Sequence, residues 1–217
     1  MDDREVRAWR LERQARDLLG KLEKRGFGAV YAPDPDEGRR AVLNLVPENG
    51  TVGLLGSQTL ERLGLYEHFR QSGRELVDHR GRTGALETEE GQDYLRRIFQ
   101  AEVMLASVNA LDAEGRLYNV DFIGNRVAAM IFGPRRVVLA VGLNKLVSNS
   151  GEAWRRVRHL AAPRNNKRSG HPNPCLKSGR CHDCQTPHRS CNYFSVIERS
   201  RPAGRINIVL IGRELGY

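Results

Sequence analysis

The chain has 217 residues, 40% hydrophobic and 28% charged, enough to bury one good core and too apolar for wholesale disorder. No apolar run reaches the ~20 residues of a membrane-spanning helix, and the opening MDDREVRAWRLERQAR lacks the apolar centre of a signal peptide. With a net charge of +9 and no membrane segment, the expectation is a soluble cytoplasmic protein.

Residues 4–25 repeat apolar side chains (Ala8, Leu11, Ala15, Leu18, Leu22) at steps of three and four, a helix stopped by Gly26 and Gly28. A short strand at 29–32 follows, then a helix capped by Asp34 with Pro35 in its first turn, carrying Ala41, Val42, Leu45 and Val46. The continuous apolar run 51–57 reads as a buried strand, 58–71 as a helix, 76–77 as a weaker strand and 87–100 as a helix. Residues 101–110 form another buried strand, turned at 112–115 into a hairpin with 117–122. A short helix at 124–132, the most strand-like segment at 136–142 and a Ser150-capped helix ended by Pro163 come next. Two further strands, 194–198 and 206–213, close the chain. Strands alternating with helices predict an α/β fold with a mostly parallel sheet flanked by helices. The expected organisation is an N-terminal helical extension (1–28) and one α/β domain (29–217) with a cysteine-rich, metal-binding insert at 170–192.

The four cysteines of the chain, Cys175, Cys181, Cys184 and Cys191, fall in one stretch spaced C-x5-C-x2-C-x6-C. Four soft thiolates on a loop broken by Pro172, Pro174, Gly179 and Pro187 suit a 4Fe–4S cluster or a tetrahedral zinc. In a reducing compartment such clusters are metal sites rather than disulfides. The compact run with a single C-x2-C favours the cluster, and His171, His182 or His188 could replace a sulfur at zinc. Charge follows the cysteines: residues 151–191 hold nine Lys or Arg against two acids, leaving a net of only +2 for the rest. Cations there favour the ligating thiolates. A nucleic-acid partner is disfavoured, because only Trp154, Tyr193 and Phe194 offer stacking rings near this patch.

In open α/β sheets, ligands bind where strands end and helices begin. Three polar segments occupy such places. The first, Gly56-Ser57-Gln58-Thr59, offers backbone N–H groups to an anion, without a dinucleotide or P-loop fingerprint. The second joins Asn109 to Asn119, Asp121, Gly124, Asn125 and Arg126, with Asp121 in an apolar context suited to proton transfer. The third is Asn144-Lys145, where the lysine could hold an anionic substrate or form a Schiff base. The candidate catalytic set is Asp121, Arg126 and Lys145. Gly56, Ser57, Thr59, Asn109, Asn119, Gly124, Asn125 and Asn144 would contact the substrate, and the four cysteines the metal.

The stretches GSQTL (56–60), SVNA (107–110), LYNVD (117–121), GNR (124–126), FGP (132–134), VGLNK (141–145), Ala162-Pro163 and GRELGY (212–217) resemble the LUD (lactate utilisation) domain family, of LutC/YkgG type. The likeness runs from about residue 10 to the C-terminus, and Pro174-Cys175, Cys181-x-x-Cys184 and Arg189-x-Cys191-Asn192 resemble its cysteine-bearing branch. This resemblance implies a fold related to NagB/RpiA-type isomerases, CoA transferases and formyltetrahydrofolate cyclo-ligases. It further implies oxidation of L-lactate or a related 2-hydroxy acid, with an iron–sulfur partner subunit and a small anionic metabolite as ligand. On that reading the chain is an iron–sulfur oxidoreductase component, able to self-associate as a homo-oligomer. The alternatives are an isomerase- or transferase-like enzyme for a phosphorylated or CoA-linked small molecule, and a structural-zinc interaction module.

Overall fold

A computed structural model describes residues 2–78 and 88–217. The first helix, α1 (Asp3–Lys24), starts in a capping box between Asp2 and Glu5. It leads to β1 (Gly28–Ala32) and α2 (Pro35–Asn44), which Asp34 caps by accepting from the Glu37 N–H at 2.8 Å. Then come β2 (Val52–Leu54), α3 (Gln58–Arg62), α4 (Leu65–Gln71), β3 (Leu76–Asp78), α5 (Glu89–Arg96) and β4 (Val103–Ala106). These strands join β7 (Arg136–Gly142) and β10 (Ile206–Ile211) in one six-stranded sheet, ordered β1-β10-β7-β4-β2-β3 and parallel throughout.

Each central strand is apolar on both sides, as a sheet covered on both faces requires. In β7, Val137, Leu139 and Val141 face one core while Val138 and Ala140 face the other. The first core takes Ala15, Leu18 and Leu22 of α1, so this helix is packed into the domain as part of a covering layer. The second takes Val42, Leu60, Leu65 and Phe69 from α2, α3 and α4.

A second sheet lies outside the parallel one. It comprises β5 (Ala110–Asp112), β6 (Leu117–Asp121), β8 (Leu146–Val147) and β9 (Tyr193–Ile197), ordered β8-β5-β6-β9 and antiparallel apart from β5–β8. The strand expected over 101–110 is therefore two strands in different sheets, with Ser107-Val108-Asn109 crossing between them. The helix expected over 58–71 breaks at Gly64, whose φ of +64° suits glycine and ends the first turn.

The helix expected to stop at Pro163 does not stop. Asn149, not Ser150, caps α7 (Ser150–Arg156), and a π turn (Val157–Ala161) joins it to α8 (Ala162–Ser169). The wide turn routes the Ala162 N–H to the Val157 carbonyl, and Pro163, in the first turn of α8, sits where its missing N–H is tolerated. Between α8 and β9, the cysteine loop holds one short helix, α9 (Cys175–Ser178). The remaining helix, α6 (Asn125–Ile131), follows β6. The start expected for the helix at Glu87 lies outside the described residues, as does the Ala8 side chain. Among the described residues no helix is long and apolar enough to cross a membrane.

Candidate functional site

The carboxyl ends of β2, β4, β7 and β10 converge on Lys145, which a 3-10 turn (Leu143–Lys145) carries off β7. Only 3% of this lysine is exposed. Its Nζ donates to Ser107 Oγ at 2.9 Å and to Thr59 Oγ1 at 3.0 Å. Both hydroxyls have already committed their own protons, Ser107 to the Ala140 carbonyl at 2.6 Å and Thr59 to the Leu215 carbonyl at 3.1 Å. The lysine therefore has two acceptors and no carboxylate partner in its hydrogen bonds. Burial, followed by the charges of Arg156, Arg126 and Arg62, holds its pKa well below the ordinary lysine value.

The C-terminal segment closes over this floor. Asn144 grips it from both sides, donating to the Gly216 carbonyl at 3.1 Å and accepting from the Leu215 N–H at 3.0 Å. Gly216 has φ +66°, and a Cβ there would stand 2.6 Å from Thr59 Oγ1 and 3.4 Å from Lys145 Nζ. Tyr217 then lines the cleft, its hydroxyl buried and without a partner among the described residues.

Arg126, on α6, fastens the second sheet to the first. Nε and Nη2 pair with Asp121 Oδ1 at 2.9 and 2.7 Å, Nη1 donates to the Ser107 carbonyl and Asn119 Oδ1, and Nη2 to Asn109 Oδ1 and the Val120 carbonyl. Five donors are thus engaged within the protein, so Arg126 offers charge rather than free N–H groups to a ligand. Asp121 is equally committed: Oδ1 to Arg126, Oδ2 to the Val127 N–H at 2.9 Å. The pair holds the wall of the site in place. A second buried arginine, Arg156 of α7, donates to the carbonyls of Asn144 (3.1 Å) and Asn109 and leaves Nη2 unpartnered. Burial and Arg164 pull its pKa down to about 10, against Glu214.

These elements enclose a cleft of about 150 Å³. Of the expected residues, Gly56, Ser57, Asn109, Asp121, Arg126 and Lys145 line it. Thr59 and Asn119 lie behind, bonded to Lys145 and Arg126, and Asn144 pins the tail. Gly124 and Asn125 belong elsewhere: they line a different hollow with Leu95, Phe99 and Ile123. Sequence reasoning missed the opposite wall, Ala162, Asn165, Asn166 and Arg168 of α8, along with His171 and Tyr217. The helical spacing of 162, 165 and 166 was the available signal, hidden by taking Pro163 as a stop.

All four cysteines line a second, smaller cavity of about 30 Å³. They are free thiols, Cys175 buried and the others half-buried. Burial, and then Cys181 and Cys175, pushes the Cys191 thiol up to about 11. Asn166 Nδ2 donates to Cys175 Sγ at 3.3 Å and the Asp183 N–H to Cys181 Sγ at 3.4 Å. Arg189 braces the loop through the carbonyls of Cys184 (2.6 Å) and Cys191 (3.0 Å) and through Asp183 (2.9 Å). Among the described residues, no three His, Cys, Asp or Glu side chains stand so that they could hold a metal ion. The two cavities share a wall: Ala162, Asn166, Ser190 and Cys191 line both.

The profile of the LUD domain family matches residues 15–211. No curated protein shows significant similarity. Among solved structures, a DUF162 family protein from Deinococcus radiodurans is similar, with a TM-score of 0.51 and 11% identity over 94% of this chain and 97% of that one. At that identity the likeness concerns the fold.

Proposed function

The chain belongs to the LUD domain family, associated with lactate utilisation, and within it we propose an iron–sulfur-binding component whose cleft takes a small 2-oxo or 2-hydroxy acid. The observation that carries this reading is the wall common to the polar cleft and the four-thiol cavity. The cleft is cationic without counting Lys145: Arg126 and Arg168 line it against one acid, Asp121, which Arg126 already neutralises, so the charge of Arg168 is in excess. Its volume, about 150 Å³, is below the roughly 300–1,000 Å³ of drug-sized sites, which suits a metabolite of a few heavy atoms better than a CoA thioester.

Four thiolates are the usual ligand set of a 4Fe–4S cluster, and Cys175, Cys181, Cys184 and Cys191, which line one cavity, would be its ligands. Zinc, which binds thiolates at about 2.3 Å, is the alternative occupant of the same four sulfurs. The Asn166 and Asp183 donors to sulfur, with Arg158 and Arg189 nearby, stabilise the anionic charge such a centre carries. When bound, a cluster of this kind exchanges electrons one at a time, so two-electron oxidation of a 2-hydroxy acid requires a redox partner subunit. The chain's own residues do the rest: the cationic wall selects a carboxylate, and the tail held by Asn144 excludes water.

Calorimetry on the full chain with lactate, pyruvate, a sugar phosphate and a CoA thioester tests the reading. Saturable binding of the small acids alone is expected. Selective binding of the phosphate or the thioester would transfer the site to isomerase- or transferase-type chemistry.

A further inference from the structure

We propose that Lys145 is a nucleophilic amine that condenses with the carbonyl carbon of a 2-oxo acid to form an imine. The inference rests on the cleft reading above and deepens it. Its first support is the arrangement of hydrogen bonds. Thr59 Oγ1 and Ser107 Oγ have committed their protons to carbonyls, so each can only accept from Nζ. A neutral amine satisfies both with its two hydrogens and keeps one lone pair. Lys145 is part of the cleft wall, so that lone pair is the valence left for a ligand.

The second support is charge. The groups acting on Lys145 are Arg156, Arg126 and Arg62, all cations, and the nearest acid of the wall, Asp121, has both oxygens engaged by Arg126 and the Val127 N–H. With burial added, the surroundings disfavour an ammonium and favour the nucleophilic form. The reaction balances without an oxidant. The Nζ lone pair attacks the 2-oxo carbon, a C=N bond replaces C=O, and the carbonyl oxygen leaves as water with the two amine protons. Thr59 and Ser107 hold the amine in place for the attack, and both protons pass from the nitrogen to the departing oxygen as the carbinolamine collapses. Tyr217 lines the same cleft, and its buried hydroxyl has no partner among the described residues.

The chain has five lysines, and Lys21, Lys24, Lys167 and Lys177 are exposed, so the background is small. At pH 7 a surface lysine of pKa ~10.4 is neutral in roughly one molecule in 2,500. The test is to incubate the full chain with pyruvate and cyanoborohydride, then locate the reduced adduct by intact mass and peptide mapping. One adduct per chain at Lys145 is expected, in clear excess over any other lysine, and absent from Lys145→Met. Lactate, which has no oxo group, is titrated in parallel by calorimetry. Lactate binding without a Lys145 adduct overturns the imine and spares the cleft reading. Failure of lactate and pyruvate both to bind, with no adduct, overturns the two together. Equal labelling of wild type and Lys145→Met overturns the imine as well.

Discussion

Replacing Lys145 by Met keeps most of the buried stem and removes the amine, and the consequence depends on pH in a way the surroundings dictate. Two hydrogen bonds to neutral hydroxyls are lost, about 1 kcal/mol each. Thr59 and Ser107 keep their own donations to Leu215 and Ala140, so no buried donor is stranded. Against that loss stands the burden of an amine whose pKa burial and three arginines have lowered from 10.5. The unfolded chain keeps that proton and the folded chain gives it up. The folded state thus binds fewer protons, and wild-type stability rises with pH up to the ordinary lysine value and falls toward acid. The slope reaches about 1.4 kcal/mol per pH unit, so raising the pH from 8 to 9.5 should stabilise wild type relative to Lys145→Met by up to about 2 kcal/mol. Urea unfolding of both proteins at matched ionic strength, with equal m values, reads this difference directly. A gap between them that stays constant across that range would show that the fold retains an ammonium, and the electrostatic reasoning would be refuted.

Asp121→Asn leaves Arg126 buried without its counter-charge and should lower stability by about 3 kcal/mol in urea melts; a shift under 1 kcal/mol would mean that the pair is not a brace. Gly216→Ala forces a Cβ against Thr59 at a left-handed backbone position, an expected loss of about 1–2 kcal/mol, and lactate affinity measured by calorimetry should fall with it. Tyr217→Phe removes a buried hydroxyl that has no partner, so melting should be unchanged or improved while 2-oxo acid affinity drops about fivefold, the loss of one hydrogen bond. Cys184→Ser should abolish iron binding and leave the urea midpoint of the domain in place, because neither of the two cores that sandwich the six-stranded sheet contains that residue.

The central strands of the parallel sheet were legible because their continuous apolar runs leave little room for another reading, while β3 read only as a weaker strand; β7 is buried on both faces along most of its length. What stayed hidden depends on partners far away in sequence. Residues 103–106 are uniformly apolar and Val108 and Ala110 carry the apolar character on past Ser107, so periodicity could not show that the chain changes sheets there. Pro163 signals a helix end in isolation, yet a π turn upstream makes room for it and extends the helix into the wall of the cleft. Lys145 read as a candidate only through its place after a strand. Its burial comes from Thr59, Ser107 and a C-terminal segment more than seventy residues away, which no local pattern announces. Asp121 and Arg126 were rightly grouped with Asn109 and Asn119, but the contacts make them a brace rather than a free acid and a free clamp. The cysteine spacing put four thiols on one loop, and all four line one cavity; it could not foretell that Cys191, with Asn166, would also face the cleft.

The most direct measurement is a spectroscopic titration of anaerobically prepared full chain, with iron and acid-labile sulfide determined on the same sample. Our reading predicts about four irons and four sulfides per chain, and a visible and paramagnetic-resonance spectrum that shifts as lactate fills the adjoining cleft. Stoichiometric zinc without iron, or a cluster whose spectrum ignores saturating lactate, would contradict it.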